Sequence, residues 1–410
     1  MRRKIQHNEK LNFEKVQFIT FISFLLGFSS ALLSYIISSY FKLVLHTDNV
    51  GIFFFLSYIL VLVILLNFHK LIGSFGKVAT FYGIFITKTI SILFLTFLPP
   101  SYFSLIFLVV YIITEAAGWV NLDVILEAFS TDKMSGRIRG LYLTITNTGF
   151  ILGPFLATRI LDQFDYKGLF FIVFVVNFLV FSIALMGLRG LNHDYKRKST
   201  IVAVYKRIKK RKNILRIYYI SFLLEFFYAL MIIYTPLYLL NLGFDWGEIG
   251  IAFSIMLIPF VIVQYPAGMI ADKKMGEKEL LVFSIFIMGV STFAFYLTSS
   301  SNIFVWAGIL FMTRVGAALV EILRDSYFYK RIDSGDIDII DFFRTSKPVA
   351  YILATGIASI FLFFLPMTAI FLFLSLVIFS GLYPAFALVD NHSEKEARKR
   401  KYNKAKQNRY

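Results

Sequence analysis

Twelve apolar runs, each about twenty residues long, decide what this chain can fold into. They lie at roughly 16–39, 50–68, 77–97, 102–125, 140–161, 168–188, 216–240, 248–269, 279–298, 303–323, 344–364 and 367–388. An α-helix rises about 1.5 Å per residue and the hydrocarbon of a bilayer is about 30 Å thick, so each run matches one crossing. Lipid offers backbone N–H and C=O groups no partner, which leaves helices as the conformation for such runs. Composition agrees: 58% of residues are hydrophobic and 16% are charged, whereas a soluble domain carries about 25% charge. The expected fold class is an all-α membrane protein with twelve transmembrane helices. The first run is too long for the apolar region of a signal peptide and reads as a retained first helix.

The formal net charge is +17. In a soluble chain that excess would suggest nucleic acid. Here the cations sit in short segments between apolar runs, where they set topology instead. If the N-terminus is cytoplasmic, 37 of the 42 Lys and Arg fall on the cytoplasmic side and three, Lys42, Arg159 and Lys167, on the other. Both termini are therefore expected in the cytoplasm, in a cytoplasmic (inner) membrane. The most basic segment, 189–215, divides six runs from six and is expected to lie along anionic headgroups. The expected organisation is a six-helix bundle at 1–188, the linker at 189–215, a second bundle at 216–388 and a basic tail at 389–410. With no Cys, disulfides and thiolate metal sites are excluded; no metal site and no cofactor is expected.

Three motifs carry a resemblance to a known family. Between runs eight and nine stands Gly268-Met269-Ile270-Ala271-Asp272-Lys273-Lys274-Met275-Gly276-Glu277-Lys278. Run five contains Gly149-Phe150-Ile151-Leu152-Gly153-Pro154, and Asp165-Tyr166-Lys167-Gly168 leads into run six. The first is similar to the cytoplasmic loop signature of the major facilitator superfamily, with one extra residue before Gly276. The second resembles that family's element associated with proton-coupled exporters. The resemblance implies two pseudo-symmetric six-helix bundles, transport by alternating access, and a central cavity lined by spans one, four, seven and ten. It also implies conformational or gating roles for Gly268, Asp272, Lys273, Gly276, Gly149, Gly153 and Pro154. Two departures stand out. The loop after run two keeps its glycines and Lys77 but lacks an Asp. Span four has Glu115 where many proton-driven exporters of the family carry an arginine.

Ionisable residues at bilayer depth are costly unless paired or hydrated, so they are candidates for function. Tyr111, Glu115, Trp119 and Asp123 follow at four-residue spacing and share one face of span four. Glu115 is expected to handle a proton or the solute; the alternative is a structural pair with Lys88 in span three. Glu225 in span seven, with Tyr218, Ser221 and Tyr228 near its face, is expected to meet Arg314 of span ten across the cavity, or to form a buried pair that fixes packing. Glu321, Asp123 and Glu127 lie near the cytoplasmic ends and read as gate residues, with Arg137 or Arg139 as partners for the last two. Carboxylates suit proton coupling because burial favours their neutral form and a nearby cation opposes it.

The expected function is secondary active transport: proton-coupled efflux of drug-like or metabolite molecules, or alternatively proton-coupled uptake of a sugar, nucleoside or similar metabolite. The expected partners are a small-molecule substrate, protons and the lipid bilayer, with no nucleic acid, and the chain is expected to act as a monomer. None of the five His lies inside a span and no hydrolase or zinc motif occurs, so no enzyme activity is expected. A non-transporting receptor or scaffold on the same fold is the reading from a different class.

Overall fold

The computed structural model describes residues 2–127, 135–188, 208–271, 276–332 and 337–389, and they fold into helices and short connections. Among the described residues, eleven segments are long and apolar enough to cross a membrane. One of them, Thr144–Gly187, has 44 residues, about 66 Å of helix, which is twice what one crossing needs. It breaks at Asp165, whose φ of 54° and ψ of −170° turn the chain. Two crossings therefore lie end to end in this segment, and the described residues hold twelve.

Several spans run longer than the apolar pattern suggests. Span one turns at Tyr35–Ile36 and resumes as Ile37–Leu45, so Lys42 rides on a helix end rather than in a loop. Span ten is Ile303–Tyr329. Its hydropathy falls at Arg324, but the backbone stays helical because neighbours satisfy the polar side chains there. Local chemistry starts the helices cleanly. Asn302 Oδ1 accepts from the Phe304 N–H at 2.9 Å. Asp245 and Glu248 form a reciprocal capping box at the start of span eight, at 2.8 and 3.1 Å. Pro259 precedes the break at Val263 that divides span eight into Trp246–Ile262 and Gln264–Ile270.

Contacts group the chain into two compact units. Unit 1 comprises Met1–Arg197 with Ile232–Ser254 and Thr355–Phe363. It holds spans one to six together with one end each of spans seven, eight and eleven. Ile22, Phe81, Phe85, Leu122 and Val180, from spans one, three, four and six, form its central apolar cluster. Unit 2 comprises Lys198–Met231, Ile255–Ala354 and Phe364–Tyr410. There span nine packs on spans ten and twelve, with Phe295 against Trp306 at 4.8 Å and Phe371 at 4.6 Å. Each unit also shows apolar side chains outward at helical spacing. Ile86, Ile90, Phe94 and Phe97 in span three are exposed, as are Phe283, Phe286, Val290 and Phe293 in span nine. Such stripes are what a lipid-facing helix surface presents.

The span-five glycines are packing residues. A methyl group placed on Gly153 would stand 2.2 Å from Ala31 Cβ, and one on Gly149 would stand 2.4 Å from the Phe24 carbonyl oxygen. Both faces meet span one, so small side chains let two backbones touch where no hydrophobic effect operates between lipid-solvated helices. Pro154 lies buried one residue further on. Gly153→Leu is expected to destabilise the protein by about 1–3 kcal/mol through overpacking, read as a lowered melting temperature in detergent. Leu152→Ala, on the exposed side of the same helix, should leave that temperature nearly unchanged.

Candidate functional site

Unit 1 builds a charged cluster at mid-span. Lys88 of span three, 1% exposed, forms an ion pair with Glu115 Oε2 of span four. The other oxygen, Oε1, accepts from the Ser30 hydroxyl of span one and from the Trp119 indole N–H at 2.8 Å. Trp119 reaches Glu115 because residues four apart stand one above the other on a helix. Lys88 Nζ also lies 5.2 Å from the Phe85 ring centre and 5.6 Å from that of Tyr111, which is buried. A buried pair is tolerable only when its remaining lone pairs and protons are satisfied. Here a hydroxyl and an indole serve Glu115 Oε1, while Lys88 has, among the described residues, only the carboxylate and two nearby ring faces. The structure thus brings together Tyr111, Glu115 and Trp119, forms the Lys88–Glu115 pair expected as the alternative, and adds Ser30. Asp123 follows two turns further along the same helix and is half-buried.

Unit 2 carries a second cluster, and it corrects the expected Glu225–Arg314 meeting. Glu225 Oε1 pairs with Arg324 Nη1 at 3.2 Å, and that nitrogen also donates to Ser221 Oγ at 2.7 Å. Arg324 Nε reaches Asp325 at 3.2 Å. Ser221 in turn touches Ser346 Oγ at 2.9 Å. The reason is the extra helical length of span ten: Arg324 continues the helix and faces span seven. Arg314 lies elsewhere, 1% exposed, with its guanidinium over the rings of Phe227 at 5.0 Å and Tyr228 at 5.6 Å. None of its three nitrogens hydrogen-bonds within the described residues. The Tyr228 hydroxyl donates to Glu321 Oε2 at 3.4 Å, and Gln264 Nε2 donates to the same oxygen at 3.1 Å. Glu321 is therefore tied to spans seven and eight.

The loop signature is described in part. Asp272 and Lys273 lie outside the described residues, as do the side chains of Glu127, Arg137 and Arg139. Gly276 has a φ of +83°, and Gly76, at the matching point after span two, also has +83°. Both turns need a residue without Cβ, so the two loops share a backbone device although one lacks the Asp. Gly268 is less demanding: a Cβ there would find Ile322 at an ordinary 3.7 Å. The residue that anchors this loop is Glu277. Fully buried, it accepts from Ser326 Oγ at 2.8 Å and from Lys330 Nζ at 2.5 Å, both at the end of span ten.

A further polar group was missed in the sequence. At the end of span one, Lys42 pairs with Asp48 at 2.7 Å and donates to Asn241 Oδ1 at 2.5 Å; Asn241 Nδ2 donates to Asp48 at 2.9 Å. Asn49 Nδ2 donates to the Ser359 carbonyl at 3.1 Å. These bonds join span one and its following loop to spans seven and eleven. The only sequence signal was Lys42 itself, one of three cations on the sparsely basic side.

Helical crossings, buried charges within them and paired glycine turns between them define a polytopic membrane carrier. Residues 19–334 match the sequence pattern of the Major Facilitator Superfamily, and the chain belongs to that transporter family. Among solved structures of similar fold is a mutant of the nucleoside transporter NupG, with a TM-score of 0.72 and 14% identity over 92% of this chain and 100% of that one. An auto-inhibited POT family peptide transporter gives 0.70 and 12%, over 92% and 98%. The POT family transporter PepTSo gives 0.68 and 12%, over 92% and 97%. No curated protein sequence matches the chain.

Two outcomes follow from these networks. Arg324→Met strands the buried Glu225 carboxylate, and breaking one side of such a pair costs about 3–5 kcal/mol. Thermal denaturation in detergent should show the single variant less stable than Glu225→Gln/Arg324→Met. Because the chain has no Cys, a cysteine at buried Ser359 is a unique thiol. Adding Asp48→Ala should raise its labelling rate by a membrane-impermeant maleimide severalfold.

Proposed function

We propose that this chain moves a small solute across the cytoplasmic membrane by alternating access, with proton movement coupled through Glu115. The reading treats residues 1–188 and 216–388 as the moving halves and 189–215 as a cytoplasmic linker, with both termini cytoplasmic and a monomer as the working unit. The observation that carries it is the mid-span Lys88–Glu115 pair, in which a buried lysine meets a half-buried carboxylate that also accepts from Ser30 and Trp119.

A proton arriving at Glu115 cancels the carboxylate. Lys88 then loses the carboxylate that pairs with it and is left beside the Phe85 and Tyr111 rings. That cation needs another partner at once, either water or an anionic group on the cargo. Protonation and cargo binding are thereby linked, and the linkage runs equally in both directions. In unit 2, Arg314 is held by ring faces with its N–H donors unspent. Acidic groups and aromatic faces beside these cations suit a zwitterionic or amphipathic molecule.

Export of drug-like or metabolite molecules is the direction that the Gly149-to-Pro154 resemblance supports. Uptake is the second reading. It is favoured by the span-four pair itself, which stands where exporters of the family place an arginine, and by the fold shared with a nucleoside transporter and peptide transporters.

The test is reconstitution into liposomes with an imposed pH gradient and a trapped pH-sensitive dye. Nucleosides, dipeptides, sugars and cationic dyes are added in turn from either side. One class should drive solute-dependent proton movement, and the side from which it acts gives the direction. Glu115→Gln should reduce that coupled flux by an order of magnitude while binding of the solute persists. Unchanged coupled flux in Glu115→Gln and in Glu225→Gln would remove the proton assignment.

A further inference from the structure

Spans seven, ten and twelve converge in unit 2 on a basic pocket that the transport reading leaves unused. Its volume is about 530 Å³, and its lining includes Lys210, Arg211, Lys212, Asn213, Arg216 and Arg331. That volume is within the range of about 300–1,000 Å³ typical of small-molecule sites. Among the described residues no carboxylate lines it. The charge is also not the product of one basic run, because Arg331 arrives from the end of span ten.

Hydrogen bonds hold the walls in place. Arg216 donates to Asn213 Oδ1 at 3.0 Å, and the Val389 N–H donates to the same oxygen at 3.4 Å. Arg331 Nη2 and the Tyr327 hydroxyl both donate to the Val389 carbonyl, at 2.5 and 2.6 Å. The Arg331 guanidinium also lies over the Tyr327 ring at 5.1 Å. The start of span seven, the end of span ten and the segment after span twelve are thus tied into one rim.

The depth of this rim selects its ligand. The apolar spans begin at Lys212 and end at Tyr329 and Ala387. Arg331 and Val389 each lie two residues beyond those ends, and Lys210 two residues before that start. The pocket therefore stands at the edge of the hydrocarbon, the level at which phospholipid phosphates sit. Guanidinium groups match phosphate oxygens in geometry as well as charge. Each cation near an anionic surface strengthens attraction by a factor of about five.

We propose that this pocket binds a phosphate-bearing anion at the membrane surface, supplied by the headgroup of an anionic phospholipid. The full chain would be placed in nanodiscs of phosphatidylcholine alone, of phosphatidylcholine with phosphatidylglycerol, and of phosphatidylcholine with inorganic phosphate in the buffer. Melting temperature and lipid retained in native mass spectrometry are the readouts. Phosphatidylglycerol should raise the melting temperature and be retained on the protein. Lys210→Ser/Lys212→Ser should weaken that retention roughly fivefold per lysine removed. Lys70→Ser/Lys347→Ser, which removes the same charge from exposed positions outside the pocket, should retain lipid as the unaltered chain does. Equal stabilisation by inorganic phosphate in phosphatidylcholine discs supports the site and moves its source to the aqueous phase. Identical melting temperatures in all three discs would overturn the proposal, and this arm uses the unaltered chain, so it does not depend on how any variant folds. Equal loss of retention in both double variants would overturn it as well, since the effect would then be general surface charge.

Discussion

A charge inside a bilayer has to be answered by neighbouring side chains, and much of this architecture follows from that demand. Lys88 and Glu115 are separated by a helix-to-helix gap, and their pairing ties spans three and four together while Ser30 brings in span one. Arg324 does the same for spans seven and ten, and Glu277 for the loop before span nine. In water such pairs contribute little. In a low-dielectric interior an unpaired member is so unfavourable that each pair sets which helices can be neighbours. The charges on which the proposed coupling rests are therefore also those that tie neighbouring helices together.

Close backbone approach is the second device. Gly149 and Gly153 meet span one, and Gly316 meets Met288 of span nine, in each case leaving no room for a Cβ. Elsewhere Phe and Leu side chains fill the space between helices and face outward. The result alternates tight seams between helices with surfaces that lipid can wet.

Hydropathy and the distribution of Lys and Arg made the span count legible, because both reflect a length and a solvent that vary little. The Glu115 cluster was legible too: Tyr111, Glu115 and Trp119 repeat at helical spacing, and spacing along one helix is a local property. Arg324 was not. Its distance in sequence from Glu225 carries no information, and its polarity ended the apolar run while its backbone stayed helical. The same holds for Asp48 and Asn241, whose pairing depends on two chain segments meeting. Arg314 was visible as a cation at bilayer depth and was expected to meet Glu225, yet its neighbours are ring faces, a kind of partner that charge matching overlooks. Gly149 and Gly153 were visible as a motif, and the contact with Ala31 and Phe24 shows what their small size is for.

Arg314 also bears on how the protein is made. On scales of membrane insertion, an arginine at the centre of a helix costs about 2.5–3.5 kcal/mol. Span ten must enter the bilayer with that residue before Phe227 and Tyr228 have packed over it in their final places. Its leucines, phenylalanines and Trp306 offset part of the cost, and span nine, packed along its length, supplies an apolar companion joined by a short Asn302-capped link. Spans nine and ten are thus suited to enter as a hairpin, with Gly316 seated against Met288 of span nine and Arg314 left to meet the rings of span seven.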